Sequence, residues 1–143
     1  MPDFPDYDPT VAELAIGYHE PAGLSAFLGM ETLDVGPGRM RCAVEARPDL
    51  MNPFATLHGG VVAALVDHVL GSVCYPVIAK GAWAATTEFK VNLLAPVREG
   101  TVVAAAEIVS MSKRTAVVRI DVTNGDRLVA LAQGTVTIKA PRT

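Results

Sequence analysis

The sequence predicts an α+β domain in which an antiparallel sheet wraps around one long central helix. Three observations predict it. The run from Gly59 to Ala79 is almost wholly apolar and long enough for a helix of several turns. Four strand-like segments follow it, separated only by short turns, and strands joined so tightly pair antiparallel. Ahead of it, Arg39-Met-Arg-Cys-Ala-Val-Glu-Ala-Arg47 alternates polar and apolar residues, as a half-buried strand does.

Taken in order, residues 9–18 read as a short helix started by Pro9 or Thr10, because proline suits a first helical turn. Residues 23–29 add another turn. A short strand over 30–35 leads into the turn Gly36-Pro37-Gly38, and the strand 39–47 follows. Residues 48–57 form a loop. The helix is expected over 58–77. Its apolar residues surround it instead of forming a stripe, so other structure must cover most of it. The later strands fall at 83–94, 101–111, 114–124 and 127–139 and read as a four-strand meander. Asn124-Gly125 between two apolar runs is a strong hairpin signal.

Composition narrows the classes of function. The chain has 143 residues, half of them apolar and 19% charged, which suits one domain, 1–143, with a sizeable core. A net charge of −3 and a pI near 5.5 argue against broad nucleic-acid binding. Cys42 and Cys74 are far apart and in no metal-ligand or disulfide pattern, so they read as buried thiols of a reducing compartment. Residues 1–22, an acidic and proline-rich N-terminal extension, lack the pattern of a signal peptide. The run 59–79 is about long enough to span a bilayer. Asp67 and His68 at its centre make that costly. A cytoplasmic protein with no membrane partner is the expectation.

The run Asn52-Pro-Phe-Ala-Thr-Leu-His58-Gly59-Gly60 sets a polar cluster and two glycines at the mouth of the apolar helix. The first N–H groups of a helix have no intrahelical partner, and the helix dipole adds partial positive charge there. Such donors suit a developing oxyanion. Glycine at 59 and 60 lets a carbonyl approach the backbone. Asp67 is expected to be buried in the middle of the helix, and a lone buried charge needs a reason. Asp67 is eight residues beyond Gly59, roughly 12 Å along a helix axis. One carbonyl cannot contact both within a single helix. Two antiparallel helices across a dimer axis would bring Asp67 of one chain to Gly59 of the other.

This arrangement, with Leu57-His-Gly-Gly60, Leu65-Val-Asp67, Leu94-Ala-Pro96 with Gly100, and Ala132-Gln-Gly-Thr135, resembles the PaaI-like acyl-CoA thioesterases of the 4-hydroxybenzoyl-CoA thioesterase superfamily. The resemblance spans about residues 23–139. It implies the hotdog fold, a homodimer whose sheets join, usually paired again into a homotetramer, and hydrolysis of acyl-CoA to free acid and coenzyme A without a cofactor. It also implies roles. Asp67 takes the place of the catalytic carboxylate, and Gly59 that of the glycine whose N–H polarises the thioester carbonyl. Asn52 and His58 match positions that orient the substrate or the helix mouth. Thr86 falls at a Ser/Thr position that holds the nucleophilic water, with Thr87 as its alternative.

Asp67 would act as a general base on water or as a nucleophile forming a mixed anhydride; both routes stay open, the general-base one being preferred with Thr86 or Asn52 placing the water. His58 reads equally as a plain helix cap. His68 follows Asp67 but points about 100° away around the helix, and no His or Cys stands at ligand spacing, so no metal is expected. Lys113 and Arg114 at a hairpin tip, Lys90 on a strand and Arg98 in a turn are candidate anchors for the phosphates of coenzyme A, with Gly60 at the helix mouth. Two rivals stay open: a non-catalytic acyl-CoA binding protein of the same fold, and an acyl-thioester hydratase.

Overall fold

The structure, a computed structural model, describes residues 2–142. Helix α1 spans Pro9–Ala15 and is capped by Asp8, whose Oδ1 accepts from the Thr10 N–H at 2.9 Å. It ends three residues earlier than 9–18 suggests. Ile16 is already extended and Gly17 takes φ +78°, which halts the helix. Helix α2 is Leu24–Leu28, closed by Gly29 in the left-handed conformation. Strands β1 (Glu31–Gly36) and β2 (Arg39–Glu45) form a hairpin.

Helix α3 runs Gly59–Ser72, and residues Tyr75–Val77 make a separate 3-10 turn. The expected helix to Val77 is thus cut at Ser72. Pro76 is the reason, because its ring excludes a helical carbonyl four residues earlier. Strands β3 (Trp83–Leu93), β4 (Thr101–Met111), β5 (Thr115–Asn124) and β6 (Arg127–Lys139) complete one six-stranded antiparallel sheet.

The sheet order is β1-β2-β4-β5-β6-β3. Only β4, β5 and β6 form a meander, so the four-strand meander is corrected. Strand β3 pairs with β6 at the far edge, and β4 pairs with β2. The connection 94–100 must therefore cross three strand spacings, roughly 14 Å. An extended chain of that length reaches over 20 Å or so. A four-strand meander would leave β2 with β1 as its only partner; inserting β4 on its other side joins the β1–β2 hairpin to the rest of the sheet.

The core lies between α3 and the concave face of the sheet. Val61, Val62, Leu65, Val66, Val69 and Leu70 are buried against it. Helix and sheet approach closely at Gly134, where a Cβ would stand 2.6 Å from Leu70 Cδ2 and 2.8 Å from the Glu88 carbonyl oxygen. The opposite side of α3, at Gly60, Ala63, Ala64, Asp67 and His68, is exposed or half-exposed. Asp67 is therefore not buried within one chain, contrary to expectation, and every buried core residue among those described is apolar. One chain covers only one side of a helix that is apolar nearly all round. The run Gly59–Val77 passes for a membrane span by length and composition. Its place is the packed core of this sheet, and α3 itself is only about 21 Å long.

Candidate active site

The loop before α3 is held by its own polar groups. Asn52 Oδ1 accepts from the Phe54 N–H (2.9 Å) and the Thr56 N–H (3.2 Å), while Nδ2 donates to Thr56 Oγ1 (2.8 Å). These bonds stabilise the tight turn in which Ala55 adopts φ +58°. The Leu57 N–H donates to the Val97 carbonyl and the His58 N–H to the Leu50 carbonyl, which ties the loop to the crossing segment 94–100 and to the turn at 48–50. Asn52 thus orients the helix mouth rather than presenting a free side chain.

His58 is the N-cap. Its Nδ1 accepts from the Gly60 N–H at 2.8 Å, and its carbonyl accepts from the Val61 N–H at 2.9 Å. With Gly60 and Val61 so engaged, the Gly59 N–H has no acceptor among the described residues. It is thus an unengaged donor at the positive end of the helix dipole. Gly59 borders a cavity of about 250 Å³ with Asn52, Leu57, Leu93 and Leu94. Leu93 leans over it: a Cβ on Gly59 would meet Leu93 Cδ1 at 2.7 Å. A side chain here would close the approach to the N–H.

Two turns along, Asp67 projects from the uncovered face of α3. Thr86 on β3 lies across from Gly71, with its Oγ1 3.9 Å from where a Cβ on Gly71 would be. The sheet register shifts between Thr86 and Glu88. This bulge sends Thr87 to the outer face, where its hydroxyl bonds that of Thr137. Of the two threonines, Thr86 therefore faces the helix. Lys90 also lies on the outer face, in a groove with Glu88, Asn92 and Arg119. Lys113 sits by Val77 and Ile138, and the Arg114 carbonyl accepts from the Ile138 N–H, so both mark the C-terminal end of α3 in their own chain. The cation at the Gly59 end is Arg98, whose Nη1 approaches the Phe54 and Ala55 carbonyls at 3.5 and 3.4 Å. Arg127 joins it there, donating to the Pro96 carbonyl. Nothing in the sequence marks Arg127 or Leu93 for this place, because only the β3–β6 pairing and the crossing loop put them there.

His68 lines a second cavity with Tyr18, Ser72 and Tyr75. Burial pushes its pKa down, and the Glu20 and Asp67 carboxylates partly offset this. Cys42 and Cys74 are free and buried. Desolvation raises both thiols, Cys74 to about 12, so neither is a ready nucleophile.

Comparison with known proteins places the chain in a family. The thioesterase superfamily model matches residues 54–131, from the helix mouth to β6. A 1,4-dihydroxy-2-naphthoyl-CoA hydrolase of Listeria monocytogenes is 29% identical over 121 residues, covering 84% of this chain and 98% of that protein. Human acyl-coenzyme A thioesterase 13 is 29% identical over 75% of this chain and 77% of its own length. Among solved structures, a point mutant of the phenylacetic acid degradation protein PaaI from Thermus thermophilus shares 32% identity with a TM-score of 0.73, over 79% of this chain and 96% of that one. The chain belongs to the thioesterase superfamily, as a PaaI-like thioester hydrolase of the hotdog fold.

Proposed function

We propose that the chain hydrolyses acyl-CoA thioesters to free acid and coenzyme A, in active sites shared by two copies. The observation that carries this reading is the symmetry of the uncovered face of α3. Gly60, Ala63, Ala64 and Asp67 form one stripe at neighbouring helical positions. The stripe is symmetric about the point between Ala63 and Ala64. A second copy laid antiparallel there meets the same small residues, so the axes can approach to about 8 Å. Asp67 then lies about 5 Å from the two-fold axis along the helix, and the partner's Gly59 about 7 Å on the same side. With an offset of only about 2 Å along the helix, the two groups face each other across axes about 8 Å apart, and one thioester carbonyl with its water can reach both.

In that site the Gly59 N–H donates to the thioester carbonyl oxygen. The partner's Asp67 takes a proton from a water whose oxygen adds to the carbonyl carbon. Gly59 and the helix dipole hold the resulting oxyanion. The carbon–sulfur bond then breaks and coenzyme A leaves as its thiolate. Thr86, facing the same helix, holds the water. Arg98 and Arg127 at the mouth attract the phosphates, and Lys113 and Arg114 of the second copy come to the same end when the helices run antiparallel. Direct attack by Asp67 to give an anhydride is the alternative path. Neither path needs a cofactor.

The test is thiol release with DTNB across aryl- and fatty-acyl-CoAs, comparing wild type with Asp67→Asn. Turnover that falls about 10²-fold or more in the variant supports the reading. No thiol release on any ester would leave an acyl-CoA binding protein, and equal rates in both proteins would remove Asp67 from the chemistry.

A further inference from the structure

A cavity of about 440 Å³ lies between the N-terminal helices and the second half of α3. Its size is that of a small-molecule site. The segment that roofs it is tied at both ends. The Phe4 ring fills the space a side chain at Gly38 would take, and the Asp8 N–H donates to the Pro76 carbonyl at 2.7 Å. At the other end, Arg47 Nη1 donates to the Leu28 carbonyl at 2.9 Å, and its guanidinium stacks on Phe27. Between these ties Leu14 and Tyr18 line the cavity while remaining 71% and 60% exposed. Large apolar side chains so placed gain by covering an apolar ligand.

The cavity wall on α3 is His68 and Ser72, one turn apart. His68 is the next residue after Asp67, about 100° around the helix. The wall is thus the stripe beside the one that carries Asp67, and it runs from there toward the C-terminal end of α3. No hydrogen bond from either side chain to another described residue is present, so both can meet a ligand.

We infer that this cavity receives the acyl group of the thioester, and that Leu14 and Tyr18 on the N-terminal segment set the length of acyl group accepted. The inference rests on the proposed thioesterase site. The two-fold sets the partner's Gly59 beside His68, so a carbonyl held between Asp67 and that N–H has its acyl carbon at the cavity mouth, while its sulfur leads away along the interface to the basic residues there. A chain without this segment would leave the acyl group in water.

Two measurements test it. The first is kcat/KM for acetyl-, butyryl-, hexanoyl- and decanoyl-CoA in wild type, Ala15→Phe and Tyr18→Ala. Ala15 also lines the cavity, so the phenylalanine fills it. It should lower decanoyl-CoA turnover about tenfold or more while acetyl-CoA stays within about twofold. Tyr18→Ala should shift the preference toward longer acyl groups. The second is amide hydrogen exchange with the unreactive thioether decyl-CoA. It should protect residues 9–28, and coenzyme A alone should not.

Equal effects on every acyl length, or no protection of 9–28 by decyl-CoA, overturns the inference. If hydrolysis still depends on Asp67 in that case, the thioesterase reading survives. Protection without hydrolysis of any ester would instead keep the acyl site and remove the thioesterase reading.

Discussion

Leu93 lies so close over Gly59 that a Cβ on the glycine would stand 2.7 Å from its Cδ1. The leucine is an exposed, flexible end, so it can yield. Gly59→Ala should therefore change stability by only about 0.5 kcal/mol either way. The added methyl and the displaced leucine would nonetheless narrow the approach to the Gly59 N–H, which has no acceptor among the described residues. Activity on acyl-CoA should fall about tenfold or more, with the melting temperature nearly unchanged. Steady-state kinetics beside thermal unfolding checks both halves.

His58 caps α3 through Nδ1. Its removal in His58→Ala should cost about 1 kcal/mol and lower the melting temperature by a few degrees. His58→Asn restores a short acceptor and should recover most of that loss. If the two variants lose activity equally while only one loses stability, the imidazole does more than cap.

At Gly134 the helix and sheet leave no room. A Cβ would meet Leu70 Cδ2, the Glu88 carbonyl and Phe89 Cβ, all within 2.8 Å. Because one of these is backbone, relief requires the strand to move. Gly134→Ala should cost about 1–3 kcal/mol by overpacking, read as a shift in the denaturant midpoint.

Burial lowers the His68 pKa below its ordinary value of 6.5, while Glu20 and Asp67 pull the other way. As pH falls, the unfolded chain then takes up this proton before the folded chain does. The contribution of His68 to stability is complete above pH 6.5 and is lost as pH falls below it, through the lowered folded value. Melting temperatures measured between about pH 7.5 and about pH 5 should decline on the acid side, and His68→Gln should flatten that decline.

Much of the fold was legible because its signals are local. The alternation of Arg39–Glu45 and the turn at Asn124-Gly125 each located an element within two residues or so. The insertion of β4 beside β2 was not legible, because strand order is set by which edges need partners rather than by any short segment. The end of α3 at Ser72 was written in Pro76 all along, four residues downstream. At the site, the helix mouth could be read from His58-Gly59-Gly60. The choice between Thr86 and Thr87 could not, since it rests on one bulge in β3. Asp67 was expected inside the core because its neighbours are apolar. They are apolar on two sides for two purposes: Leu65, Val66 and Val69 face the sheet, while Ala63 and Ala64 lie on the face left open.

That open face underlies the central claim, that each active site joins Gly59 of one chain to Asp67 of another. The most direct test mixes two inactive variants, Gly59→Val and Asp67→Asn, under conditions that exchange subunits. In a mixed dimer one site carries both defects and the other carries neither. Activity should return to about a quarter of the wild-type value on random mixing. If each chain instead held its own complete site, every site in the mixture would keep one defect, and the mixture would stay as inactive as its parts.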